Sequence, residues 1–324
     1  MKKEEEANRL DEDVEATEAK QDQADAEEEK QPITYTHLGS EQCPVSPDDE
    51  EIEYCMIFRI PKIENLEAAT KLRVLGLRKN LIKRIEGLDQ NTALEELELY
   101  DNRIRHIENI NHLHNLVFLD LSFNRIKEIQ GLETLTNLTK LYLSANRLRK
   151  IENLETLVNL TVLDVGDNKI RKIENIDTLV NLTEFHAAKN KLVAIEGLEQ
   201  LTNLVLVAMQ ANFIRELSGL ETLVDLEELY LQQNQIHKIE GLHNNLKLQT
   251  LDLAVNKVAI FENLDHLTAL RELWMNWNNL EDSDYNKAYL MTFTKLETIY
   301  LADNPISQAD TYQEMLTTAI PSLT

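Results

Sequence analysis

From Leu72 to Asn304 the chain repeats one order of positions with small changes: Leu, two variable residues, Leu, one variable residue, Leu, two variable residues, Asn. Leu72, Leu75, Leu77 and Asn80 form one such set, and Leu138, Leu141, Leu143 and Asn146 another. The asparagine recurs every 22 residues, at Asn80, Asn102, Asn124, Asn146, Asn168, Asn190, Asn212, Asn234, Asn256 and Asn278, and Asn304 follows after 26. In Leu97-Glu98-Leu99 apolar and polar residues alternate with the period of a strand, so the leucines point inward and Glu98 outward. One short strand per period lets successive turns pair in parallel and bury a continuous leucine row.

The polar positions of the repeat have their own logic. The recurring asparagine bends the chain out of the strand, and its amide can pair with backbone groups of adjacent turns, which must be satisfied if buried. Seven residues after each asparagine from Asn80 to Asn256 stands only Gly or Asn: Gly87, Asn109, Gly131, Asn153, Asn175, Gly197, Gly219, Gly241 and Asn263; after Asn278 the rule breaks at Tyr285. Glycine and asparagine best tolerate positive φ, so a left-handed backbone is expected where they stand. The return leg, such as IEGLDQNTALEEL, is too short for a long helix and predicts a tight turn with a short 3₁₀ or helical piece. A period in the low twenties with this signature resembles a leucine-rich repeat. The predicted fold is therefore α/β: a right-handed leucine-rich-repeat solenoid with a concave parallel sheet and short turn or 3₁₀ segments on the convex side.

The ends depart from the repeat. Residues 1–50 are rich in Glu, Asp, Lys, Gln and Ala, and too little apolar area is available there to offset the entropy of ordering. A disordered acidic tail is expected. The solenoid is expected over 51–304, opening on a half-repeat cap in which Phe58 takes the place of the asparagine. Residues 305–324 predict a C-terminal helical cap with Tyr312, Met315 and Leu316 on one face, and its end at Thr324 is abrupt for such a cap.

Composition narrows the partners. A net charge of −24 disfavours nucleic acid and anionic membranes and suits a basic protein surface. Cys43 and Cys55 are the only cysteines, which points to a reducing compartment. The first residues hold no apolar run and nowhere do 18 apolar residues run together, so neither a secretory signal nor a membrane span is expected. No nucleotide-binding, hydrolase-elbow, zinc-protease or CxxC motif occurs. His112 and His114 read as solvated rather than as metal ligands. Arg103, Arg105, Arg149 and Lys150 read as solvated charges on turns. Neither an enzyme nor a cofactor is expected.

Candidate binding residues point out of the strands. Four residues before each asparagine come Gly76, Glu98, Asp120, Tyr142, Asp164, His186, Ala208, Tyr230, Asp252, Trp274 and Tyr300; six before come Glu96, Phe118, Lys140, Glu184, Glu228 and Glu272, among others. Aromatic residues on an exposed face mark binding hot spots, and carboxylates around them suit a basic partner. Outward tyrosines are also good strand residues that stack along a sheet. Trp274 beside Glu272 is where a binding role weighs most. Trp277 reads as packing or edge.

The 22-residue form, with the stretches KLRVLGLRKNLIKRIEGL, FLDLSFNRIKEI, ELWMNWNNLED and ETIYLADNP, resembles the leucine-rich-repeat regulatory subunits of protein phosphatase type 1. The resemblance covers about residues 52 to 323. It implies a non-enzymatic subunit of nucleus and cytoplasm that grips the phosphatase catalytic subunit on its concave face. The gripping residues would be Asp120, Tyr142, Asp164, His186, Asp252, Glu272, Trp274 and Tyr300. Tyr142 and His186 stand where that family usually has phenylalanine; the histidine would weaken its contact and add pH sensitivity. The short docking peptide of many phosphatase regulators, Val or Ile, any residue, then Phe or Trp, is absent from the sequence. The alternative is a leucine-rich-repeat scaffold for a cytoskeletal, ciliary or ribonucleoprotein complex.

Overall fold

The alternation of inward leucines and outward polar residues produces one parallel sheet. The computed structural model describes residues 34–308, 312–320 and 322–323. The acidic tail expected before residue 34 lies outside the described residues. The unit spanning His37–Thr324 is a solenoid whose turns each contribute one short strand. The strands are β1 (Glu51–Ile52), β2 (Val74–Gly76), β3 (Glu96–Glu98), β4 (Phe118–Asp120), β5 (Lys140–Tyr142), β6 (Val162–Asp164), β7 (Glu184–His186), β8 (Leu206–Ala208), β9 (Glu228–Tyr230), β10 (Thr250–Asp252), β11 (Glu272–Trp274) and β12 (Thr298–Tyr300). They pair in chain order, and the register matches residues one repeat apart, as in Leu97↔Leu119 and Asp252↔Trp274. Middle residues such as Leu75, Leu97, Leu141 and Leu273 are fully buried. The leucine core runs the length of the array without a break.

The asparagine row is a ladder of buried amides. Asn102 Nδ2 donates to Leu77 O at 2.9 Å and Leu99 O at 3.0 Å, while its Oδ1 accepts from Ile82 N at 3.0 Å. Asn168 does the same with Leu143, Val165 and Leu148, and Asn304 with Met275, Leu301 and Leu280. Each amide thus ties two adjacent turns and leaves no amide atom unpaired.

The Gly/Asn position has positive φ throughout, from 55° at Asn263 to 74° at Gly219. The two residue types meet one constraint in different ways. Where glycine stands, the carbonyl 24 residues earlier crowds in: a Cβ on Gly241 would lie 2.4 Å from Leu217 O. Where asparagine stands, its side chain bonds the equivalent carbonyl, as Asn109 Nδ2 does to Ile85 O at 2.7 Å. Gly241→Ala should therefore cost about 2–4 kcal/mol, combining left-handed strain with the clash. Asn109→Ala, which meets no such crowding, should lose mainly one hydrogen bond, about 1 kcal/mol. Urea melts of the two variants give the comparison, and equal losses would refute the crowding argument.

A second row of positive φ carries no sequence signal. The residue before each asparagine is left-handed, including Lys79, Phe123, Ala145, Gln233, Val255, Trp277 and Asp303. Its N–H bonds the next turn, as from Lys79 to Tyr100 O at 2.8 Å and from Trp277 to Ala302 O at 2.9 Å. This regular bonding holds side chains of every kind in a backbone they would not choose.

The ends differ from expectation. Composition predicts a tail over 1–50, yet Leu38 and Cys43 are fully buried, and Asn65 Nδ2 bonds Leu38 O at 2.7 Å. Residues from His37 onward belong to the capped array, because a few apolar groups suffice to close its first turn. Cys43 and Cys55, with Cα atoms 5.5 Å apart, are joined in a disulfide inside this cap. The low cysteine count thus says little about whether this pair can bond. The 26-residue turn accommodates a helix, α1 (Asp284–Leu290), whose N-cap Ser283 accepts from Asn286 N. Asn286 is fully buried and accepts from Phe261 N at 2.9 Å. After a 3₁₀ turn (Pro305–Gln308), helix α2 (Tyr312–Ala319) packs Tyr312, Met315 and Leu316 against the core.

Candidate functional site

Strand geometry puts the first and third residue of each strand on the concave face, and neighbouring rungs lie about 4.8 Å apart. Asp120 on β4 and Tyr300 on β12 are thus separated by about 38 Å along one face. Asp120, Tyr142, Asp164, His186, Asp252, Trp274 and Tyr300 all occupy the third strand position, and Glu272 the first. The register sets them side by side: Asp120↔Tyr142, Tyr142↔Asp164, Asp164↔His186, Asp252↔Trp274 and Trp274↔Tyr300.

The most open part of this face is its C-terminal end. Trp274 and Tyr300 have ring centroids 4.6 Å apart and remain 36% and 48% exposed. Toward the N-terminus, Phe118 and Tyr142 form a second pair at 5.4 Å. Between them Tyr230 donates its hydroxyl to Glu228 at 2.7 Å, and His186 Nε2 lies 3.5 Å from Glu184. Burial first, and then the Glu228 carboxylate, push the Tyr230 hydroxyl well above its ordinary range.

The carboxylates are less free than outward placement suggests. Asp120 accepts from Ser122 N at 2.8 Å, Asp164 from Gly166 N at 2.8 Å and Asp252 from Ala254 N at 2.9 Å. Each closes the strand end two residues on, so these three acids support the fold as well as carry charge. Glu98 is buried against Arg78 in an ion pair that uses the space left by Gly76. Arg103, expected as a solvated charge on a turn, is instead buried at 9% exposure, whereas Arg105, Arg149 and Lys150 are exposed as expected.

Burial raises the carboxyl pKa values of Asp120 and Asp252, against the lowering effect of their backbone hydrogen bonds. In the unfolded chain both return to the ordinary carboxylate range. Protonation therefore favours the folded state, and these two groups add stability as pH falls from their raised pKa toward the unfolded value. The same protonation removes negative charge from the concave face. Affinity for a basic partner should thus begin to fall at a higher pH than ordinary surface carboxylates would give, with no parallel drop in melting temperature from these groups. Binding and thermal melts across a pH series separate the two; affinity that falls only together with unfolding would contradict this.

Two features escaped the sequence. Tyr54, in the first, degenerate turn just beyond β1, is 48% exposed, with its hydroxyl on Pro44 O at 2.9 Å. The off-register first turn, with Phe58 for asparagine, hid it. Trp277, expected as packing or edge, lies on the rim row where the strand ends and is 60% exposed. Other turns place Lys, Asp, Phe, Ala, Gln or Val there, so periodicity alone gives no signal.

A sheet with one open face and a row of aromatic and acidic side chains defines a class: a solenoid that presents a surface to another macromolecule. The chain is a leucine-rich-repeat protein. Residues 92–134, 114–156 and 136–178 match the family described as leucine-rich repeats in two copies. The fold is similar to that of an internalin from Listeria monocytogenes, at 24% identity and a TM-score of 0.66, covering 81% of this chain and 85% of that one. A leucine-rich-repeat protein from Leptospira interrogans is similar at 24% identity and a TM-score of 0.70, covering 82% and 75%. Internalin C2 of Listeria monocytogenes shares 30% identity over 56% of this chain and 80% of its own, at a TM-score of 0.53. Comparison with curated proteins returns no significant match. Such repeats are as a rule protein-interaction scaffolds, and this chain is such a scaffold.

Proposed function

We propose that the chain is a regulatory subunit that binds the catalytic subunit of serine/threonine protein phosphatase type 1 on its concave face. The observation that carries this reading is the tilted, partly exposed Trp274–Tyr300 ring pair, with Trp274 in register with Asp252 and on the same strand as Glu272. A large aromatic anchor ringed by carboxylates fits a basic, partly apolar protein surface. Asp120, Tyr142, Asp164 and His186 extend the same row toward the N-terminus and would contact the partner there. The similarity of the repeat and its concave residues to phosphatase regulatory subunits supports this choice over other basic proteins. Nuclear and cytoplasmic residence goes with this reading.

The test is retention of the phosphatase catalytic subunit from cell extract on the immobilised full chain. Retention is expected with the wild type and its loss with Glu272→Lys, which reverses one charge beside the anchor. A wild-type chain that retains none, or a variant that retains as much, would overturn the proposal. Retention should also fall as salt is raised, because exposed charges are screened over about 8–10 Å.

A further inference from the structure

The rim of the sheet carries a second apolar line that the concave row does not include. Val255 and Trp277 sit at the same position of adjacent turns and are 42% and 60% exposed. Their N–H groups bond Asn276 O at 2.8 Å and Ala302 O at 2.9 Å, which fixes both turns to their neighbours. Trp277 follows Trp274 by three residues, so the rim line and the Trp274–Tyr300 pair belong to one end of the solenoid. Asp303 occupies the rim position in the next turn and is exposed.

Nothing in the fold requires an indole at this place. The same left-handed position holds Ala145, Ala211, Lys189 and Gln233 in other turns. Trp277 therefore accepts an unfavourable backbone and leaves most of its ring in water. An exposed ring of this size beside an exposed valine marks contact with another molecule.

We propose that Trp277 and Val255 receive a segment of the bound partner that passes from the concave face over the rim. The segment would combine an aliphatic side chain, packed on Val255 and the indole, with a Lys or Arg. The charge argument is local: Asp303 holds the exposed rim position one turn on, and Glu272 lies on the strand that leads into Trp277. A cation over the indole face is also favoured by the ring itself. The proposal rests on the reading that the concave face holds the phosphatase catalytic subunit. It adds a contact line at a position where the repeat itself imposes no residue type.

The chain has two tryptophans, so labelling the full chain with 5-fluorotryptophan gives two ¹⁹F resonances. Trp274→Phe and Trp277→Phe assign them. On titration with purified type 1 phosphatase catalytic subunit, both resonances should move. Trp277→Ala should weaken binding about 10-fold, with an unchanged melt because alanine occurs at this position in other turns. A complex that shifts the Trp274 resonance and leaves that of Trp277 in place would overturn the rim contact and spare the concave one. If no complex forms, the phosphatase reading fails and the rim proposal falls with it.

Discussion

Replacing Trp274 with alanine should weaken binding of the phosphatase catalytic subunit by about 2–4 kcal/mol, or roughly 30- to 1,000-fold. The size of the effect follows from position. The residue is 36% exposed in the free chain, meets Tyr300 in a tilted ring contact at 4.6 Å and has carboxylates on its own and the adjacent strand. A partner that covers it removes both rings from water and surrounds them with opposite charge. Stability should change far less, since the core leucine of that strand, Leu273, faces the other way and is fully buried. Losing the cross-strand ring contact costs about 0.5–1.5 kcal/mol, so the melting temperature should fall by no more than a few degrees. A variant that binds normally, or one that fails to bind because it has unfolded, would contradict this account.

The second large effect separates fold from function within five residues. Asn168 Nδ2 donates to Leu143 O at 3.0 Å, Val165 O at 3.0 Å and Gly166 O at 2.9 Å, and Oδ1 accepts from Leu148 N at 2.9 Å. Asn168→Ala leaves the buried Leu148 N–H without a partner and takes one of two bonds from Leu143 O, Val165 O and Gly166 O, which keep Asn146 Nδ2, Asn190 Nδ2 and Ala145 N. With about 1–3 kcal/mol for the orphaned donor and a smaller share for the carbonyls, a loss of about 2–4 kcal/mol is expected. Because each turn is held by its neighbours, the loss should spread to the adjoining turns. Asp164→Ala removes one bond, to Gly166 N at 2.8 Å, at a half-buried site and should cost about 1 kcal/mol. Asp164→Asn keeps an acceptor for that amide and removes only the charge. It should weaken partner binding with little change in stability. Chemical denaturation of the three variants, paired with affinity measurements, gives the ordering. If Asp164→Ala proves as damaging to stability as Asn168→Ala, the division into inward and outward positions is wrong.

Much of this architecture is legible in the chain because solenoids repeat one local solution. The spacing of leucines dictates the strands, and the asparagine row dictates the ladder. The Gly/Asn alternation marks positive φ correctly from Gly87 to Asn263. What the spacing leaves out is how side chains of adjacent turns use one another. Asp120, Asp164 and Asp252 read as free outward charges, but each bonds an amide two residues on. That contact depends on the bend after the strand rather than on residue type alone. Glu98 disappears from the surface because Gly76 opens room for its pairing with Arg78. The left-handed row before each asparagine is invisible because a regular backbone bond, not a favourable residue, holds it. The residues that cap the first turn are hidden for a related reason. Leu38 and Cys43 lie in a polar stretch, and two buried residues are too few to register as periodicity.

Whether the concave face is the binding surface is settled most directly by one equilibrium titration. Purified full-length chain is titrated with purified type 1 phosphatase catalytic subunit, comparing Trp274→Ala on the concave face with Leu246→Asp on the opposite side. Leu246 is 56% exposed and lies in the return leg between β9 and β10. The account predicts a saturable complex with the wild type, the same affinity for Leu246→Asp, and at least about a 30-fold loss for Trp274→Ala. Absence of a wild-type complex, or a loss with Leu246→Asp while Trp274→Ala binds normally, would contradict it.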